Sequence, residues 1–320
     1  MTGKDLRIVF MGTPDFAVAS LQALVDHGYQ IVGVITAPDK PAGRGRKLQE
    51  SAVKKYAVEK GLTILQPEKL KNPDFISELQ KLEADFQIVV AFRMLPEIVW
   101  NMPRLGTFNL HGSLLPQYRG AAPLNWAVIN GEKETGVTTF LLSHEIDTGA
   151  ILFKEKTPIE ENDTVGDIHD RLMGIGAQLI LKTVDALADG TYSTIEQDEI
   201  KVKELKPAPK IFKDDCKIDW YKPGEQIRNL IRGLSPYPAA WTALEDEQGQ
   251  AYSMKIYFAS LEKVSGLAPG TIKSDEKTYL KIAASDGWLN ITDLQLSGKK
   301  RMKTEDFLRG FHSISTLRTK

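Results

Sequence analysis

The first half of the chain alternates apolar runs with amphipathic stretches. Leu6 to Met11 is nearly continuous in apolar residues, the pattern of a strand buried on both faces of a parallel sheet. The run stops at Gly12-Thr13-Pro14, where Thr13 can cap and Pro14 can start a helix reaching Ala23. Ile31 to Ile35 predicts a second strand, Ser51 to Lys60 a helix stopped by Gly61, and Leu62 to Leu65 a short strand. Asn72-Pro73 repeats the cap-plus-proline start and opens a helix to Leu82. Phe86 to Ala91 and Thr107 to Leu110 predict two further strands. Strands separated by helices of this length pair in parallel through right-handed crossovers, so this half is predicted to be a doubly wound α/β domain, mostly parallel and Rossmann-like.

The pattern changes after Gly136. Val137 to Leu142 and Ala150 to Lys156 predict a later pair of strands in the same sheet. A long helix follows from Thr164 to Ala188, capped by Asn162 or Asp163, with Ile168, Leu172, Ile175, Leu179, Val184 and Leu187 as its apolar stripe. Gly190 ends it. Thr191 to Pro209 is polar and closes on Lys206-Pro207-Ala208-Pro209, which reads as a linker. Beyond it, a helix around Gly224 to Arg232 precedes short strands at Met254–Phe258, Leu280–Ala283 and Leu289–Gln295, divided by Gly, Ser and Asp turns. That spacing predicts a small, OB-like β-barrel. The expected boundaries are a catalytic domain over 1–189, a linker over 190–209 and a barrel over 210–313.

At 320 residues the chain is long enough for two separate cores. A hydrophobic fraction of 42% and a charged fraction of 26% are those of a globular protein. Ile8-Val9-Phe10-Met11 is too short an apolar run for a signal peptide or a membrane span, so no membrane partner is expected. The lone Cys216 can form no internal disulfide and joins no metal-ligand cluster. Together these features lead to a cytoplasmic expectation. The net charge of −1 is unevenly spread. The stretch after residue 207 carries roughly +4 and the part before it roughly −5. Basic residues cluster at Lys40, Arg44, Arg46 and Lys47 and again at Lys299, Lys300, Arg301 and Lys303.

The first strand-turn-helix reads Gly12-Thr13-Pro14-Asp15-Phe16 and lacks the further glycines that let a pyrophosphate approach a helix N-terminus, which argues against a dinucleotide. No Gly-Lys-Ser/Thr triplet follows a glycine-rich loop, so a P-loop is absent. Chemistry concentrates instead between Thr107 and Gly149. Alternation along Phe108-Asn109-Leu110-His111-Gly112 puts Asn109 and His111 on one face at the end of a strand, where ligands bind in open α/β sheets. An irregular loop from Ser113-Leu114-Leu115-Pro116 to Pro123 follows, and Ile146-Asp147-Thr148-Gly149 sets a carboxylate at a second strand end. Taken singly, His111 is equally a buried structural imidazole and Asp147 a turn-former. His144 stands close enough to Asp147 to compete with His111, whereas His27, His169 and His312 carry no assigned role.

Asn109-Leu110-His111-Gly112-Ser113-Leu114-Leu115-Pro116 followed by Ile146-Asp147-Thr148-Gly149 resembles the signature of enzymes that use 10-formyltetrahydrofolate. Within that superfamily the chain is most similar to the methionyl-tRNA formyltransferase family. Gly12 to Ala17 resembles that family's N-terminal turn, Pro38 to Gly45 its inserted basic loop, and Ile218-Asp219-Trp220 with Arg232 to Pro238 its C-terminal domain.

The resemblance implies transfer of a formyl group to the methionine amine of initiator Met-tRNA, with 10-formyltetrahydrofolate as co-substrate, no metal, and a monomeric enzyme. It implies that Asn109 and His111 polarise the formyl group while Asp147 orients His111 and assists proton transfer. Ser113, Leu114, Leu115 and Pro116 match the folate-binding segment. Phe92 and Leu95 fall in the loop walling the pterin, with Phe92-Arg93 where many members carry an aromatic–glycine pair. Lys40, Arg44, Arg46 and Lys47 fall in the loop meeting the tRNA acceptor end, with Lys210 a further backbone contact. The related alternatives are formylation of another amine, such as glycinamide ribonucleotide or an amino-sugar nucleotide, and hydrolysis of formyltetrahydrofolate.

Overall fold

The computed structural model describes residues 2–42, 47–312 and 314–320. The chain divides into two compact units. Unit 1 holds Met1–Gly120, Thr135–Thr157 and His169–Pro207, and unit 2 holds Ala121–Glu134, Pro158–Ile168 and Ala208–Lys320.

Unit 1 begins with β1 (Arg7–Gly12), α1 (Asp15–Asp26) and β2 (Gln30–Ile35). The short β3 (Lys40–Ala42) and β4 (Lys47–Gln49) pair antiparallel outside the main sheet. Then come α2 (Ala52–Glu59), β5 (Ile64–Leu65), α3 (Pro73–Lys81), β6 (Phe86–Val90), α4 (Glu97–Trp100) and β7 (Thr107–His111). After α5 (Pro123–Ile129) follow β8 (Glu134–Leu141), β9 (Ile151–Pro158) and the long α6 (Val165–Asp189). The seven-stranded sheet runs β5-β2-β1-β6-β7-β8-β9. The first five are parallel neighbours, and β8 returns antiparallel to β7. Strand order reverses at β1, the switch point beyond which such sheets bind ligands.

Local chemistry explains the elements. Ser51 Oγ accepts a hydrogen bond from Lys54 N at 3.0 Å and caps α2. Asn72 Oδ1 accepts from Asp74 N at 2.8 Å ahead of the proline that starts α3. The first helix begins one residue later than predicted, with extended Pro14 and not Thr13 at its cap. Val9, Phe10, Phe86, Ile88 and Phe108 are buried on the central strands. Each such side chain contributes about 1.5–3 kcal/mol of transfer free energy, which anchors the strands beyond whose carboxyl ends the candidate site sits.

Unit 2 is built on α7 (Gly224–Gly233), β10 (Ala240–Glu245), β11 (Ala251–Lys263), β12 (Ile272–Ser274), β13 (Leu280–Ala284), β14 (Gly287–Leu296), β15 (Met302–Lys303), α8 (Thr304–Gly310) and β16 (Arg318–Thr319). The strands pair antiparallel in the order β12-β13-β14-β11-β10-β16, with β15 also on β14. Register shifts near Phe258 bend β11, as bulges do in small barrels. Thr319 Oγ1 donates to Gly270 O at 3.1 Å, drawing the last strand towards the segment before β12, so the sheet curls into a nearly closed barrel. Leu244, Met254, Ile256, Leu289 and Ile291 fill it, together with Ile227 and Ile231 of α7. The structure thus gives the doubly wound sheet and small barrel that the sequence predicts. Its strands β10, β12, β15 and β16 went unpredicted. Unit 2 also takes up α5, whose Asn125 Nδ2 donates to Gly233 O at 2.8 Å.

Candidate active site

Asn109 and His111 lie at the carboxyl end of β7, facing Phe140 and Thr138 of β8 across the antiparallel register. Asn109 Oδ1 is buried and has no hydrogen-bond partner. An unsatisfied buried acceptor costs about 1–3 kcal/mol, so a fold retains one where something else supplies the partner. His111 is 7% exposed and packs edge-on against Phe140. Its Nε2 donates to Tyr118 O at 2.9 Å. A carbonyl can only accept, so Nε2 carries the hydrogen and Nδ1 is the ring nitrogen left to face other groups.

Nδ1 faces Asp147 Oδ2 across 3.8 Å, too far for a direct hydrogen bond and close enough for an ion pair or a bridging group. Tyr118 O therefore makes the direct hydrogen bond to the imidazole, and Asp147, to which the resemblance assigns the orienting role, faces the other ring nitrogen within ion-pair range. Asp147 Oδ2 is itself held by Gly120 N at 2.9 Å. Asp147 adopts a φ of 56°, a left-handed conformation that aspartate tolerates better than most residues. The turn also needs Gly149, because a Cβ there would lie 1.7 Å from Leu141 O.

The segment Ser113 to Pro116 forms the floor of the loop after β7. Ser113 Oγ donates to Gln117 O at 2.6 Å, and Thr138 Oγ1 donates to Ser113 O at 2.6 Å while accepting from Leu115 N at 3.2 Å. Ser113, Leu115 and Pro116 are buried, and Leu114 is partly exposed. Leu115 O accepts from Lys154 Nζ, and burial pushes the Lys154 ammonium below its usual range. In the loop after β6, Leu95 is buried and Phe92 half-buried in the core that includes Val89 and Val99. Arg93 donates to Glu68 O at 2.7 Å and also to Pro67 O, and its guanidinium lies over the Phe92 ring. It ties this loop to the 67–68 segment. His144 is exposed, with its imidazole 3.7 Å from Glu97 and edge-on to Trp100, and so does not face Asp147 as His111 does.

The predicted basic contacts are less concentrated than the trio. Lys40 is exposed at the start of β3, and the side chain of Lys47, like Arg44 and Arg46, lies outside the described residues. Lys210 is exposed in unit 2 with Nζ 5.4 Å over the Phe212 ring. Of the second basic cluster, Arg301 and Lys303 are bonded to Asp293. Among the described residues no group of three His, Cys, Asp or Glu is arranged to hold a metal ion, and no helix is long and apolar enough to cross a membrane.

The residues that sequence reasoning missed lie in the loop after β7, at Tyr118 and Gly120, and in the segment read as a linker. It is bonded into unit 1: Ile195 and Ile151 exchange a pair of backbone hydrogen bonds, Lys206 O accepts from Tyr118 N at 2.7 Å, and Gln117 Nε2 donates to Glu204 O at 2.8 Å. Gln197 is buried within it. No periodicity marks these residues, because each acts through one side chain or its backbone.

A polar trio beyond the strand ends of a doubly wound sheet, in a chain that continues into a small barrel, is the arrangement of an α/β protein that takes its ligand at the carboxyl ends of the strands. The chain matches the formyl transferase model over residues 6–184 and the formyl transferase C-terminal domain over 210–312, and it belongs to the formyl transferase family. A methionyl-tRNA formyltransferase of Bacteroides fragilis is 58% identical over 322 residues, covering 100% of this chain and 99% of that protein. One from Parabacteroides distasonis is 60% identical over 319 residues, covering 98% of each. A solved sugar 3N-formyl transferase, crystallised in the presence of dTDP and 5-N-formyl-THF, shares the fold with a TM-score of 0.64 at 23% identity, covering 92% of this chain and 99% of that one.

Proposed function

We propose that this protein transfers the formyl group of 10-formyltetrahydrofolate to the α-amino group of methionine esterified to initiator tRNA. The substrate reading is supported by similarity along the full chain to proteins named methionyl-tRNA formyltransferase. The observation that carries the chemistry is the approach of His111 Nδ1 to Asp147 Oδ2 at 3.8 Å, with His111 on the strand that also carries Asn109, whose amide oxygen is buried and unpartnered.

The reaction forms a bond between the amine nitrogen and the formyl carbon, breaks the bond from that carbon to the folate nitrogen, and moves one proton from the amine to the departing nitrogen. The bound donor supplies an activated formyl carbon. Asn109 donates an amide N–H to the formyl oxygen as negative charge grows there, the role of an oxyanion hole. His111, fixed by Tyr118, turns Nδ1 to the same region and adds a second donor when protonated. Asp147, held by Gly120, takes the proton shed by the attacking amine, directly or through a water. A neutral amine is already a nucleophile, so no covalent enzyme intermediate is needed. Lys40, Arg44, Arg46, Lys47 and Lys210 are assigned to the tRNA phosphates, and Phe92, Leu95 and the 113–116 segment to the folate.

His111→Gln and Asp147→Asn test this reading. Each is expected to lower kcat by about 10²-fold or more while the variant still binds the folate donor in calorimetry. Wild-type turnover in both would sink the catalytic assignment.

A further inference from the structure

The residue that unites the catalytic elements is Gln197, 3% exposed and set in the segment that follows α6. Its Nε2 donates to Asp147 O at 2.9 Å and to Gly149 O at 2.8 Å. Its Oε1 accepts from Arg119 Nε at 3.0 Å and Arg119 Nη2 at 2.8 Å. Every hydrogen-bonding position of the amide is thus used, two as donor and two as acceptor.

The partners matter more than the count. Arg119 stands between Tyr118, whose carbonyl fixes the His111 ring, and Gly120, whose N–H holds the Asp147 carboxylate. Asp147 and Gly149 belong to the turn that presents that carboxylate. One side chain therefore joins the loop that orients the imidazole to the turn that carries the carboxylate. A carboxylate at this position would keep the arginine and lose both donors, leaving two carbonyl oxygens facing negative charge.

We propose that Gln197 is a positioning residue for formyl transfer, setting the separation between His111 and Asp147 by clamping the Asp147 turn to the Tyr118–Gly120 loop. This rests on the catalytic reading of Asp147 given above. The bland alternative is a buried glutamine that merely satisfies nearby carbonyls, and it differs in its kinetic signature. A clamp acts only through the group it positions, so its loss lowers kcat, spares the KM for the folate donor, and costs nothing further once that group is gone.

The experiment is a double-mutant cycle of Gln197→Glu with Asp147→Ala in the full chain, read by steady-state formylation. Misplacing a reacting group by about 1 Å can cost on the order of 10²-fold, and Gln197→Glu is expected to lose about that in kcat at unchanged donor KM. The double variant is expected to be no slower than Asp147→Ala alone. If Gln197→Glu folds poorly by circular dichroism, Gln197→Met, similar in length and lacking the donors, takes its place in the cycle. Wild-type kcat in the folded Gln197 variant, or losses that multiply in the double variant, would overturn the proposal, while a crippled Asp147→Ala would leave the catalytic reading of the trio standing. Full activity in Asp147→Ala itself would remove the catalytic reading and the clamp together.

Discussion

Replacing Asn109 with leucine should separate stability from activity. Its Oδ1 is buried without a partner, and such an acceptor costs about 1–3 kcal/mol. Leucine branches at the same carbon, with bulkier methyl groups in place of the amide atoms, and leaves no polar atom behind; imperfect fit of such an isostere costs up to about 1.5 kcal/mol. The balance runs from a loss of about 0.5 kcal/mol to a gain of about 3 kcal/mol, read as a thermal midpoint nearly unchanged or raised by roughly 2–4 °C per kcal/mol. Catalysis should move the other way. Loss of one oxyanion donor removes about 10²–10³-fold in kcat, equivalent to about 2.7–4 kcal/mol of transition-state stabilisation. Formylation rates and thermal melts on the same preparation give both numbers. A variant that melts well below wild type and still turns over at its rate would refute the reasoning, since Asn109 would then be an ordinary packing residue.

Other outcomes follow from the same geometry. Gly149→Ala would force its Cβ against Leu141 O, 1.7 Å away, so the Asp147 turn must shift, and kcat should fall by about 10²-fold with a lower melting temperature; unchanged kinetics would contradict the fit. In unit 2, burial pushes the Asp293 carboxyl up, but the hydrogen bonds and charges of Arg301 and Lys303 outweigh it and hold it below the usual range. Below about pH 4 the unfolded chain then binds more protons than the folded one, so this contribution is present above that pH and lost as pH falls. Asp293→Asn should flatten that acid limb in urea titrations and cost about 1 kcal/mol at neutral pH, a figure kept small because Arg301 is partly solvent-exposed; an unaltered acid limb would show the pair to be irrelevant. Arg44→Ala should raise the KM for Met-tRNA with little change for the folate donor, and equal losses in both would remove that loop from the tRNA interface.

Much of the fold was legible because it rests on patterns longer than a single contact. Leu6–Met11 and Phe86–Ala91 are apolar enough to announce buried parallel strands, and both became central strands. Strand β10 was missed because its buried face is Ala240, Thr242 and Leu244, too weakly apolar to stand out. Strands β12, β15 and β16 are two or three residues long and exist through pairing alone. At the site, Asn109 and His111 were readable from strand alternation, and Asp147 from its turn. Tyr118, Gly120 and Gln197 were not, because they act through backbone atoms or through a contact between residues distant in sequence. Polar composition made 190–209 read as a linker, yet in this segment the polar groups are what bind it to the site loops.

The most direct measurement offers the purified protein 10-formyltetrahydrofolate with initiator Met-tRNA, with glycinamide ribonucleotide, or with water alone, and follows the formyl group by mass spectrometry. The expected result is N-formylmethionyl-tRNA and tetrahydrofolate in equal amounts, with little loss of donor in the other two reactions. Formate release in water at the same rate, or formylation of the ribonucleotide with Met-tRNA left untouched, would contradict the proposed function.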